Sequence, residues 1–261
     1  MKGIKFFFIN IAFFLNYKCK AIPILLVFYV VCFFIESDYN KFLEKRDDNL
    51  KSINLSYINN LKKLVYTVNF GNYDTIKKID KQKGYDYFIF MDNNKTKLHN
   101  SNWTKIPMPK IVKNLNISII KKQRFIKTHP ELFFPNYDLS IYIDGIFTIK
   151  GNLDEFLLRI LSPSLSIYTL EHPNRNTINQ ELLAVEKSKK DNMSNIIRIR
   201  NKYNNLKFPD KYGLLESCLI IRKHNDKNCI NIMDKWFDEI KNYSHRDQLS
   251  FNYTFLIIFK V

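Results

Sequence analysis

LVYTVNFGNYD, residues 64–74, is the stretch that decides the fold. Leu64-Val65-Tyr66-Thr67-Val68 is a run of β-branched, aromatic and aliphatic side chains, and it stops at Asn69-Phe70-Gly71-Asn72-Tyr73-Asp74. Side chains of the first kind favour a strand, and the Asn, Gly and Asp that follow favour a loop. Working outward, the same pattern recurs. Tyr85–Met91 predicts a second strand that ends at Asp92, 117–120 a third, and Leu139–Ile143 a fourth that ends at Asp144-Gly145. Ser166–Leu170 predicts a fifth strand leading into Glu171-His172-Pro173, and Ser217–Arg222 a sixth. Between them, 153–161 and 177–203 read as helices. Ile230, Met233, Trp236, Phe237 and Ile240 repeat at helical spacing over 229–242. Strands alternating with helices predict an α/β domain with a mixed, mostly parallel sheet flanked by helices.

Four of these strands end in a residue that can hold a ligand: Asp74, Asp92, Asp144 and His172. In open α/β sheets ligands bind outside the carboxyl ends of the strands. Asp also favours turns for local reasons, so each position alone is ordinary and only the set points to a site.

The chain has 261 residues, enough for one well-filled core. Its formal net charge is +16, with the lysines spread along the sequence and no zinc-finger or RNA-binding pattern, which argues against nucleic acid as the partner. A generally basic surface suits phosphate chemistry or lipid instead. The four cysteines form no CxxC pair; for Cys218 and Cys229, two free thiols are the expectation and a disulfide the alternative.

Residues 6–15 and 21–35 are apolar runs separated by Asn16-Tyr17-Lys18-Cys19-Lys20. Lys2, Lys5, Lys18 and Lys20 precede the second run, and Glu36 and Asp38 follow it. The positive-inside rule then predicts a membrane anchor over 1–36 with a cytosolic N-terminus; the alternative is a surface-lying hairpin on a cytoplasmic domain. Residues 37–61 read as a stem or linker and 62–261 as the folded domain.

Several blocks, in order, resemble the TOD/MUCI glycosyltransferase-like family. They are Tyr66-Thr67 with Phe70–Asp74; Asp86-Tyr87 through Asp92-Asn93; His129–Asp138 with Ser140–Gly145; His172-Pro173 with Arg175 and Glu181; Gly213-Leu214 with Ile220–His224; and Trp236, Glu239 and Ser244–Phe251. Together they cover most of the chain beyond residue 62. The resemblance implies a GT-A-like, nucleotide-sugar-binding fold and a transferase role, with a nucleotide-sugar donor and a glycan, polysaccharide or lipid acceptor.

Glycosyl transfer requires that the departing diphosphate be charge-stabilised, that a base take the acceptor proton when configuration inverts, and that both substrates be oriented. On the resemblance, Asp144 is the candidate for a metal or the donor ribose. Asp247 is the candidate base or acceptor ligand. Arg175, Arg222 and Arg246 are candidates for the diphosphate, because a guanidinium forks onto phosphate oxygens. His172 and Gln248 are further substrate-binding candidates. Thr67, Gly71, Tyr73, Asp74 and Asp92 would meet the nucleotide. A metal-using enzyme of this fold carries D-x-D, but Ile146 occupies the second acidic position. That counts against a divalent cation, Mn or Mg, at Asp144. Two other readings compete: a hydrolase acting on a lipid or glycan, and a non-catalytic glycan-binding protein.

Overall fold

The structure, a computed structural model, describes residues 5–8, 27–29, 55–92, 102–209 and 213–259. Its strands are β1 (Lys5–Phe8), β2 (Val27–Tyr29), β3 (Lys63–Asn69), β4 (Tyr85–Met91), β5 (Thr104–Pro107), β6 (Leu139–Ile143), β7 (Ile167–Glu171) and β8 (Leu215–Arg222). Its helices are α1 (Leu55–Asn60), α2 (Lys110–Lys113), α3 (Ile119–Thr128), α4 (Leu153–Ile160), α5 (Ile178–Lys187), α6 (Met193–Asn205), α7 (Lys227–Asn242) and α8 (Gln248–Phe259). The strands form one sheet in the order β2-β1-β7-β8-β6-β3-β4-β5. β3 pairs in parallel with both β4 and β6, and β4 in parallel with β5. β8 runs antiparallel between β6 and β7. The expected α/β class with a mixed, mostly parallel sheet therefore holds for the strands from β3 onward.

Why β3 is the centre follows from its side chains. Every one of its residues is buried. Val65 faces one core with Ile89, Ile141, Ile143 and Ile221, covered by Leu153, Leu157 and Ile160 of α4. Leu64, Tyr66 and Val68 point the other way, into a core closed by Ile232, Met233, Trp236 and Ile240 of α7 and by Phe251 and Phe255 of α8. Alternation with period two thus separates two apolar faces, and helices cover both. A third cluster joins α5 and α6 to α8 through Leu182, Ile199, Leu249 and Tyr253.

The structure corrects two local expectations and adds elements that were not expected. Residues 117–120 do not form a strand. Ser118 accepts from the Lys121 amide at 3.4 Å as the N-cap of α3, a local bond that outweighs the β-branched pattern. The helix expected over 177–203 is two helices, divided where Lys189 takes φ 53°. β5 is a short edge strand whose Pro107 suits a position with no further neighbour in the ladder. α8 is buried over 248–255, its polar Gln248, Ser250, Asn252 and Thr254 included, and packs against α7, β8 and α5. α1, expected in the stem, carries Ile58 at 0% exposure into the core. Cys218 and Cys229 are free thiols.

Of the anchor expected over 1–36, only the backbones of β1 and β2 fall within the described residues, where β1 pairs antiparallel with β7. The rest of that segment, and most of the expected stem, lie outside them. Among the described residues no helix is long and apolar enough to cross a membrane.

Candidate functional site

From β3 the chain moves outward through β4 and β5 and then returns on the other side of β3 as β6. β3 and β6 therefore flank a topological switch point, where open α/β sheets place their ligands. Asp74 follows β3, Asp92 follows β4 and Asp144 follows β6 at this edge. His172 follows β7, which runs the same way as β6 because both are antiparallel to β8. The antiparallel β8 begins here, so Glu216, its second residue, joins them.

The loop after β3 is braced from both sides. The Asn69 side chain donates to the Asp74 carbonyl at 2.9 Å and accepts from the Asp74 amide at 3.1 Å. The Gly71 amide donates to Asp92 Oδ2 at 2.8 Å, which makes Asp92 a strut for the loop. Gly71 has φ +67° with open space around it, so backbone conformation is what requires glycine. Tyr73 is exposed at the tip. Gly145 packs closely under the loop: a Cβ there would lie 2.4 Å from Ile76 Cδ1, the movable end of that side chain, 3.6 Å from Thr67 Oγ1 and 3.7 Å from Asp74 Cβ. Thr67, fully buried beneath it, has a hydroxyl with no hydrogen-bond partner among the described residues. Burial, reinforced by the Asp144 charge, raises the pKa of Asp74.

A buried ion cluster stands beside this loop. Lys127, near the end of α3, donates to Asp247 Oδ2 at 2.6 Å and to Ser217 Oγ at 3.2 Å. Its ammonium lies 3.9 Å from Asp144 Oδ1 and 4.7 Å from the centre of the Tyr142 ring. Tyr142 in turn donates its hydroxyl to Asp144 Oδ1 at 2.7 Å. One turn earlier on α3, Arg124 Nε lies 3.3 Å from Asp247 Oδ2. The other Asp247 oxygen accepts from the Gln248 amide at 3.1 Å. Burial alone would raise the Asp247 pKa; Arg124 and Lys127 outweigh it and hold the carboxyl well below the usual range. The Asp247 backbone carbonyl accepts from Trp236 Nε1 at 3.0 Å, which ties the cluster to the core.

A second polar group adjoins it. Gln248 Nε2 donates to Glu216 Oε1 at 2.6 Å, and His172 Nε2 lies 3.6 Å from Glu216 Oε2. The Asn174 and Arg175 amides donate to His172 Nδ1 at 3.1 and 3.0 Å. Burial and the neighbouring Arg175 lower the His172 pKa to about 4, so the ring is neutral at neutral pH. Arg175 pairs with the buried Glu181.

Of the residues predicted from sequence, the structure gathers Thr67, Asp74, Asp144, His172, Arg175, Asp247 and Gln248 at this edge. Arg246 precedes Asp247, and its buried Nε has no hydrogen-bond partner among the described residues. Arg222 is elsewhere. It pairs with Ser140 at the far end of β6, is 0% exposed, and donates to Tyr66 and to Met233. It is a core residue, and that corrects its assignment to the diphosphate. Sequence reading missed Arg124, Lys127, Tyr142 and Glu216. Nothing local marks the first two among the 41 Lys and Arg residues, and no helix was expected over α3.

The donor set at Asp144 does not suit a tightly held divalent cation, which takes about six oxygen ligands. One Asp144 oxygen is occupied by Tyr142 and faces the Lys127 ammonium. Ile146, two residues on, is an exposed apolar side chain. Among the described residues no three His, Cys, Asp or Glu side chains stand together as a metal-binding group.

No curated protein and no solved structure matches this chain. The family model described as TOD1/MUCI70, glycosyltransferase-like domain, matches residues 27–260. With the match spanning most of the sequence, the chain belongs to the TOD1/MUCI70 glycosyltransferase-like family.

Proposed function

We propose that this protein is a glycosyltransferase that moves a sugar from a nucleotide-sugar donor to a hydroxyl of a glycan, polysaccharide or lipid. The observation that carries the reading is the Lys127 ammonium, held among Asp247, Ser217, Asp144 and Tyr142 at the switch point. Leaving of a diphosphate develops negative charge, and a cation fixed in advance in a largely water-excluded site stabilises that charge more than a mobile one. Arg246 adds a second positive group. The unpartnered Thr67 hydroxyl and the braced 69–74 loop supply groups for the nucleotide. In this reading Lys127 and Arg246 do the work often given to a metal, and Asp144 positions the donor.

Thermal-shift titration of the full chain with UDP- and GDP-sugars, with manganese and with EDTA, tests the proposal. A donor at a hundredfold excess over its dissociation constant stabilises by about 2.7 kcal/mol. The expected result is a shift with one donor that survives EDTA. A folded sample that shifts with none of them overturns the reading.

A further inference from the structure

Five carboxylates stand at the switch-point edge: Asp74, Asp92, which braces the 69–74 loop, Asp144, Glu216 and Asp247. Transfer with inversion needs one of them to accept a proton from the incoming hydroxyl near neutral pH. Asp247 is unsuited. Both of its oxygens are engaged, by Lys127, Arg124 and the Gln248 amide, and its side chain is 5% exposed. A carboxylate held so firmly as an anion has little affinity for a proton.

Glu216 differs in each respect. Gln248 holds Oε1 and the Cys218 backbone amide also reaches the carboxylate, while Oε2 faces the neutral His172 ring at 3.6 Å, and the side chain is 18% exposed. Its position is also set apart in the sheet. The β7–β8 register runs regularly to Thr169 opposite Ile220, then slips so that Leu170 faces Glu216. The Thr169 hydroxyl reaches the carbonyls of Glu216 and Leu219 across this irregularity. Such breaks in a ladder re-aim side chains, and they recur beside active sites. We infer that Glu216 is the general base of the transfer reaction, an assignment that rests on the transferase reading above.

The step balances as a single displacement. The Glu216 oxygen not held by Gln248 takes the acceptor hydroxyl proton as that hydroxyl oxygen bonds to the anomeric carbon of the donor. The bond from that carbon to the diphosphate breaks, and its electron pair leaves on the nucleoside diphosphate, facing Lys127. The product has inverted configuration, and Glu216 returns its proton to water.

The charges around Glu216 suit the task. Burial raises its pKa; Lys127 pulls it down, Asp247 and Asp144 push it up, and the result is about 7. His172 is neutral there, and the neighbouring Cys218 thiol is held protonated by burial and by Glu216 itself. A base poised near the working pH combines the ionised form with useful proton affinity.

The test is release of UDP or GDP from the same sugar panel by full-length protein, followed across pH. Wild type should show an acid limb with a midpoint near 7. Glu216→Gln should lower turnover by about 10²–10⁴-fold and abolish the limb while keeping the donor-induced thermal shift. Gln248→Leu, which removes a hydrogen bond to the charged form, should move the limb to higher pH. Wild-type protein that shifts with no donor overturns the transferase reading itself. Donor turnover by Glu216→Gln at the wild-type rate, or a limb unmoved in Gln248→Leu, overturns the assignment of Glu216 alone.

Discussion

Lys127 of α3 and Asp247, the residue before α8, meet at 2.6 Å with side chains 1% and 5% exposed. They are 120 residues apart in sequence. Arg124 shares the same carboxylate, so one anion serves two buried cations. Removing one partner of a buried pair leaves a charge without compensation, which costs more than the pair contributes.

Asp247→Ala should therefore destabilise the domain by about 3–5 kcal/mol, because Lys127 and Arg124 lose their shared anion together. Lys127→Met should cost less, since Arg124 remains with Asp247. The Asp247 pKa is lower in the folded than in the unfolded chain. Its stabilising contribution is thus full above the unfolded value of about 4 and is lost as pH falls below it. Urea unfolding at pH 7 and pH 3 checks both points. A cost for Asp247→Ala under 1 kcal/mol at pH 7 would show that the pair does not hold the site together.

Glu216 gives the opposite pH dependence. Its pKa is raised to about 7 by burial, so its contribution is present below the unfolded value and is lost as pH rises through 7. Glu216→Gln should match wild type near pH 4.5 and exceed it at pH 8 by about 2–3 kcal/mol. Glu131, also raised to about 7 by burial, contributes with the same sign in both proteins and cancels in the comparison. Parallel melting curves at the two pH values decide this; a constant difference would contradict it.

Thr67→Val separates stability from binding. The hydroxyl is buried without a partner, so an isosteric methyl should leave the unliganded protein unchanged or more stable by about 1 kcal/mol. Donor affinity should fall if that hydroxyl serves the nucleotide. Calorimetric titration with the donor identified by thermal shift, beside a denaturant melt, reads both quantities. Unchanged affinity would remove Thr67 from the site.

Trp236 joins core to cluster. Its ring stacks on Phe251 at 3.9 Å and its Nε1 donates to the Asp247 carbonyl. Trp236→Ala should cost about 3–5 kcal/mol as a core truncation. Trp236→Phe retains most of the apolar area and loses the hydrogen bond, for about 1 kcal/mol. Denaturant unfolding of the pair checks the ranking, and equal losses would mean that the indole hydrogen bond, and not packing, carries the effect there.

The limits of legibility follow from locality. β4 and β6 were readable to the residue because a run of β-branched and aromatic side chains followed by Asp or Gly is a local signal. The first turn of α3 was misread because Ile117 and Ile119-Ile120 look strand-like until the Ser118 cap is seen. The edge strand β5 carries few apolar residues and depends on β4 for its pairing.

From the sequence alone came the α/β class, the first strand of the domain and the positions where chain ends of strands carry Asp or His, all properties of short segments. Tertiary structure alone decided which charges lie together. Among 41 Lys and Arg residues nothing local distinguishes Lys127 and Arg124, and Arg222 looked as suitable as either. Burial of a charge, the partner that neutralises it and the pKa that results depend on segments more than a hundred residues apart, and only packing brings those together.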